Sequence, residues 1–262
     1  MMFDWYVAFQ GLSILLVLGL ITWIVSLFRH DVSIVDSVWS LFFLAAMLVY
    51  LFNPPFNGPR SFYAVILVGL WSIRLSGYLT WRNWGQPEDR RYQEIRKRNE
   101  PGFAVKSLGI IFFFQAVLAW LVSLPILPVL KSDQPLNFLD GVGVGVFVFG
   151  LVFESLADWQ MARFKARPET RGQVMDQGLW RYSRHPNYFG EFCLWWGFYL
   201  LALSAAAPVW VIVSPVLISL LLLKVSGVPL LEKDLIDHRP AYREYQQRTN
   251  SFFPGLPRRP HL

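Results

Sequence analysis

This chain has 262 residues, of which 54% are hydrophobic, 17% aromatic and only 16% charged. Soluble domains carry about a quarter charged residues, so the composition argues against an ordinary soluble protein. The formal charge of +6 lies between long apolar runs, which points to membrane topology and not to nucleic acid, and a single cysteine, Cys193, excludes an intramolecular disulfide.

A bilayer-spanning helix needs roughly 20 mostly apolar residues. About seven stretches qualify, near residues 5–27, 34–52, 61–81, 107–130, 138–158, 188–205 and 208–228. The first lacks a basic n-region and a small-residue cleavage site, so it is predicted as a mature span and not a signal peptide. The connections after the second and fourth spans, "NPPFNGPR" and "KSDQPLN", are short and proline-containing, as plain turns are. Other connections are longer and basic: "WRNWGQPEDRRYQEIRKRNEPG" after the third span, "DWQMARFKARPETRGQVMDQGLWRYSRHPN" after the fifth, and the C-terminal tail. Within the first of these, residues 88–98 have the amphipathic pattern of a short surface helix.

Lysine and arginine fall almost wholly on alternate connections, and only Arg60 and Lys131 fall on the other side. By the positive-inside rule an odd number of spans places the N-terminus outside and the basic connections in the cytoplasm. The expected fold is therefore an all-α integral membrane protein, a bundle of about seven transmembrane helices in one domain over residues 1–262. Its cytoplasmic loops and tail would close a polar pocket.

The run "GVGVGVFVFG" (Gly141–Gly150) departs from G-x-G-x-x-G and lies inside an apolar span. Close helix packing explains it better than dinucleotide binding. The four histidines show no metal-ligand spacing, so no metal site is expected.

Ionisable groups inside spans are costly and mark functional sites. Asp36 opens the second span; Arg74, Tyr78 and Arg82 share one face of the third, which should point into the bundle. Glu154 and Asp158 are i,i+4 neighbours late in the fifth span, Arg163 and Arg167 continue toward water, and Asn187 and Glu191 repeat the spacing at the start of the sixth. Snorkelling accounts for arginines near helix ends but not for the carboxylates. Acids, arginines, amides and tyrosines at one depth suit a phosphate-bearing ligand, while the apolar bundle would admit a lipid-like substrate.

The segments "GLWRYSRHPNYFGEFCLWWGFYL" and "LEKDLIDHRPAYREYQQRTNSFFP", with "DVSIVDSVWS" and "WSIR…YLTWRNWGQPEDRRY", resemble the steroid 5-alpha-reductase-like membrane proteins, and more closely their bacterial branch, the DUF1295 family. The resemblance covers nearly the whole chain. It implies a seven-helix fold that binds NADPH at its cytoplasmic end and reduces a carbon–carbon double bond conjugated to a carbonyl. It places Asn187 and Glu191 in the family's N-x-x-G-E segment at the cofactor, with Arg184, His185 and Tyr188 beside them. Glu154, Asp158, Arg163 and Arg167 fall on the fifth helix and its following turn; Tyr245 and Arg248 match the C-terminal Tyr/Arg segment; Arg74, Arg82 and Asn83 resemble the third-helix residues near the cofactor.

The implied chemistry needs a proton donor for the developing enolate. Asp36, kept protonated by burial, is the candidate acid, and Tyr78 a second hydrogen-bonding candidate. The chain lacks the steroid reductases' glutamine–glutamate pair on the second helix, and Trp71 stands where they carry a tyrosine. The expected partners are a lipid or steroid-like small molecule from the bilayer and membrane lipids, with no nucleic acid, and the expected location is a bacterial inner membrane. An S-adenosylmethionine-dependent membrane methyltransferase is the alternative, because such enzymes also carry "RHP-x-Y-x-G". A non-catalytic lipid-binding protein is the third reading.

Overall fold

The computed structural model describes residues 3–53, 58–225 and 241–258, and among these every regular element is helical. Ten α-helical segments follow in order: α1 Trp5–Arg29, α2 Ile34–Leu51, α3 Pro59–Asn83, α4 Arg90–Asn99, α5 Phe103–Ser123, α6 Ile126–Lys131, α7 Phe138–Lys165, α8 Pro186–Ser204, α9 Val213–Leu220 and α10 Ala241–Arg248.

Five of them, α1, α2, α3, α5 and α7, are long and apolar enough to cross a bilayer. Their outward side chains are apolar too: Phe9, Ile14, Val17, Ile21 and Phe28 of α1 are exposed, as are Val148, Phe149 and Val152 of α7. Apolar surface on that scale belongs in lipid, and the chain is a membrane protein.

The expected count of seven is not reached on these terms. In α8, Asn187, Glu191 and two tryptophans dilute the apolar run. The last expected span is a shorter apolar helix, Val209–Lys224, assembled from a 3-10 turn, α9 and a π turn. Its expected end, residues 226–228, lies outside the described residues. The fourth expected span stops at Ser123 and resumes as the separate α6, with Leu124 and Pro125 between.

The chain forms two compact units, Met1–Gly141 with Tyr199–Ser214, and Val142–Phe198 with Pro215–Leu262. In the first, α2 is the central helix, packed on α1, α3, α5 and α6. Gly11 on α1 makes room for the Tyr50 ring of α2, for a Cβ there would lie 2.6 Å from it. Trp120 Nε1 donates to the Ala8 carbonyl at 2.8 Å, and Ser40 Oγ to the Ser72 carbonyl at 2.8 Å. A π-helical stretch, Leu108–Phe113, interrupts α5 where its backbone meets Gly19 of α1.

The two proline-containing turns hide a feature their sequences do not advertise. Arg60, with no exposed surface, forms a two-pronged ion pair with Asp140 at 2.7 and 2.8 Å. Its remaining donors reach Ser132 Oγ, the Gln134 and Pro135 carbonyls and Ser204 Oγ. Full use of its donors is what makes a buried guanidinium tolerable.

In the second unit, α7 and α8 cross through glycine. A Cβ on Gly150 would lie 2.5 Å from the Gly190 carbonyl oxygen, and one on Gly197 2.5 Å from the Phe147 amide nitrogen. The packing reading of the glycine-rich run therefore holds at Gly150, whereas Gly141 and Gly145 face open space.

Candidate functional site

In the second unit the site grows from that glycine crossing. Pro186 is the first residue of α8, where a missing N–H leaves no helical bond unmade. Gly190, one turn on, lies against Glu154 of α7: a Cβ there would be 2.6 Å from the Glu154 amide nitrogen. The crossing sets the start of α8, which carries Glu191, against the backbone of Glu154. Glu154, Asp158 and Glu191 are all buried, at 3%, 5% and 9% exposure, and so is His185, whose ring stacks on Tyr188 at 5.6 Å. Asn187 is half-buried at the same helix start. Each of the three carboxylates is thus withdrawn from solvent.

The cations separate into two groups. Arg163 and Arg167 are exposed, with Arg163 lying over the Trp159 ring at 5.4 Å. Arg184 and Arg248 hold the tail instead. Arg184 Nη1 donates to the Gln246 and Thr249 carbonyls at 2.9 and 2.6 Å, capping the C-terminal end of α10, where a cation meets the helix dipole favourably. Arg248 pairs with Asp176. The Tyr245 hydroxyl donates to the Trp180 carbonyl, and burial pushes this phenol well above its ordinary range. Ser183 Oγ donates to the Phe252 carbonyl at 2.7 Å, and the Gly255 amide to the Tyr182 carbonyl at 3.0 Å. The tail is thereby laced to residues 180–184. Asp176 and Ser183 escaped sequence reasoning because their partners lie over 60 residues away.

An open cleft of about 570 Å³ adjoins this clasp, lined by Arg184, Lys224, Arg258, Gln246, Asn250 and Phe252 among others. Of the predicted cofactor residues only Arg184 lines it; Glu154, Asp158, Asn187 and Glu191 do not.

The first unit holds the remaining predicted residues. Arg74 and Tyr78 are half-buried and Arg82 is exposed, its guanidinium 5.8 Å from the Tyr78 ring and bonded to Asn83 at 3.0 Å. The expected inward face is thus only partly inward. The buried face of α3 runs through Leu67, Val68, Trp71, Ser72 and Leu75, and Arg74, Tyr78 and Arg82 sit along its margin.

Asp36 is half-buried in the first turn of α2 and accepts hydrogen bonds from Arg91 Nη2 at 2.8 Å and from the Tyr92 hydroxyl at 2.6 Å. Gln115 of α5 donates to the same Tyr92 oxygen at 3.0 Å. A carboxylate bridged by a guanidinium and a phenol is an acceptor here, and the acid role expected of Asp36 would require these bonds to rearrange. Burial, and then the Asp36 charge, hold the Tyr92 phenol well above its ordinary value. Burial alone would lower Arg91, but Asp36 and Asp89 hold it above its usual range. The amphipathic pattern over 88–98 disclosed α4; its partner on α2 was not legible.

Among the described residues no cluster of three or more metal-ligating side chains occurs. No solved structure matches the chain significantly. The chain is 28% identical over 275 residues to the uncharacterized protein C594.04c of Schizosaccharomyces pombe, covering 94% of this chain and 79% of the relative. The family model described as "Protein of unknown function (DUF1295)" matches residues 22–249. With that match over most of its length, and with the glycine crossing inside it, this chain belongs to the DUF1295 family.

Proposed function

We propose that this protein is a membrane reductase that uses NADPH to saturate a carbon–carbon double bond conjugated to a carbonyl in a lipid or steroid-like substrate. The observation that carries the reading is the burial of Glu154, Asp158 and Glu191 at the α7–α8 crossing. Three buried carboxylates serve no topological purpose in apolar helices and are costly there. Their chemistry fits the cofactor: carboxylates accept from ribose hydroxyls and a carboxamide N–H, and the exposed Arg163 and Arg167 suit phosphate oxygens. Asn187 would add an amide partner beside Glu191.

When bound, NADPH supplies a hydride for the β carbon of the substrate. Asp36 remains the proposed proton donor, on the terms that its bonds impose, and Tyr78 the second, hydrogen-bonding candidate. Arg184, Tyr245 and Arg248 contribute to this function by holding the tail in place. The proposal includes seven spans, with the N-terminus outside and the basic connections in the cytoplasm of a bacterial inner membrane, as the lysine and arginine asymmetry supports.

Thermal unfolding of the purified protein in detergent tests the cofactor. A ligand that binds only the folded state raises Tm with concentration, so NADPH should stabilise the wild type and lose that effect in Glu191→Gln and Asn187→Ala. Stabilisation by S-adenosylmethionine and not by NADPH would favour the methyltransferase alternative, to which the "RHPNYFG" segment also conforms. Oxidation of NADPH on addition of an enone lipid tests turnover.

A further inference from the structure

The open cleft beside the tail clasp has walls of two kinds. One is the end of the apolar helix Val209–Lys224, which presents Leu223 and Lys224 to the opening. Residues 209–223 carry no charge, so Lys224 is the first cation after an apolar run. A lysine in that place lies at headgroup depth. The other wall is the chain after α10. There the Arg258 amide donates to the Arg248 carbonyl at 2.8 Å, which returns the chain to the end of α10. The exposed Arg258 thereby lines the same cleft as Lys224. Arg184 adds a third positive charge to the lining while its Nη1 holds the Gln246 and Thr249 carbonyls. No carboxylate occurs among the described lining residues. Aromatic surface completes the cleft. Phe252 is buried edge-on against Phe189 and Phe192 of α8, at 6.1 and 5.7 Å between centroids, whereas Phe253 beside it stays 56% exposed.

We infer that this cleft binds the phosphate of an amphiphile drawn from the bilayer, with Lys224 and Arg258 on the phosphate and Leu223 and Phe253 on the first carbons of its chains. The volume of about 570 Å³ lies within the usual range for small-ligand sites. Charge-assisted hydrogen bonds to phosphate oxygens are the strong kind. A phosphate free in solution offers the same oxygens but nothing for the apolar wall. The site is independent of the proposed reductase chemistry, since Glu154, Asp158, Asn187 and Glu191 stand outside it.

The test uses the full chain purified in detergent and measures lipid retention by native mass spectrometry, with Tm as a second readout. Phosphatidate should be retained and should raise Tm, while diacylglycerol of the same chains should do neither. Lys224→Gln and Arg258→Gln should each lower phosphatidate retention about fivefold, the equivalent of about 1 kcal/mol. Both side chains are exposed, so packing is spared. Arg171→Gln, which removes an exposed charge outside the cleft, should leave retention unchanged. Any Tm gain that NADPH gives the wild type should persist in both cleft variants. Equal retention of diacylglycerol and phosphatidate, or an equal fall in all three variants, would overturn the inference. So would inorganic phosphate that raises Tm as much as phosphatidate does, for the apolar wall would then contribute nothing. Loss of NADPH stabilisation in the cleft variants, with lipid retention intact, would assign the cleft to the cofactor and equally overturn it.

Discussion

Gly190 lies so close to Glu154 that a methyl group on it would stand 2.6 Å from the Glu154 amide nitrogen and 2.7 Å from its Cβ. The helix backbones touch there, and the buried carboxylates on either side take their positions from that contact. Overpacking typically costs about 1–3 kcal/mol, so Gly190→Ala should lower Tm in detergent and loosen the crossing. Gly145→Ala, on the same α7 but facing open space, should leave Tm unchanged or raise it slightly. Equal Tm values for the two variants would mean that α7 and α8 do not meet at Gly190.

The Arg60–Asp140 pair at the opposite end of α7 makes a second prediction. Removing one partner of a buried pair costs about 3–5 kcal/mol, because the other charge stays behind. Asp140→Ala should therefore be severe, as Arg60 has no solvent to turn to. The double variant Arg60→Met/Asp140→Leu should recover much of the loss, as denaturation in detergent would reveal. A double variant as unstable as the single one would show that the Ser132, Gln134, Pro135 and Ser204 contacts matter more than the charge pair.

The docking of α4 should depend on pH at both extremes. Burial alone would raise Asp89, but its hydrogen bond to Arg91 and the Arg91 charge hold it below its ordinary 3.8. A depressed carboxylate adds stability that is present above 3.8 and is lost as pH falls through the lower folded value. Tyr92 is shifted the other way: its contribution is complete below 10 and is lost as pH rises through a higher folded value. Limited proteolysis across residues 84–102 should show α4 protected through the neutral range and increasingly cleaved only as pH falls from 3.8 through the lower folded value of Asp89. Acid cleavage unchanged by Asp89→Asn would assign the opening to other groups.

Arg184 and Tyr245 should behave as fasteners of the tail. Tyr245→Phe leaves the Trp180 carbonyl without its donor, at a cost of about 1–3 kcal/mol. Arg184→Met should cost at least as much, since the Gln246 and Thr249 carbonyls both lose a charged donor. Both variants should make residues 241–258 easier to cleave, as mass spectrometry of the fragments would show. Weakened NADPH binding without tail release would make them direct cofactor ligands instead.

The sequence by itself determined the solvent and the local elements. Apolar runs of span length located α1, α2, α3, α5 and α7, though the expected ends of α5 and α7 missed by seven residues each, because hydropathy and helix period are local properties while a helix end is set by its neighbours. The spacing over 88–98 disclosed α4 for the same reason. It also singled out Glu154, Asp158 and Glu191, since a carboxylate in an apolar run has few explanations. Tertiary structure decided which polar groups are paired with which. The link from Asp36 to Arg91 and Tyr92, the burial of Arg60 on Asp140, and the use of Tyr245, Arg184 and Arg248 to lace the tail all join residues more than 50 positions apart. An arginine that snorkels, caps a helix or binds a phosphate reads identically in one dimension, and only its neighbours in space distinguish these roles.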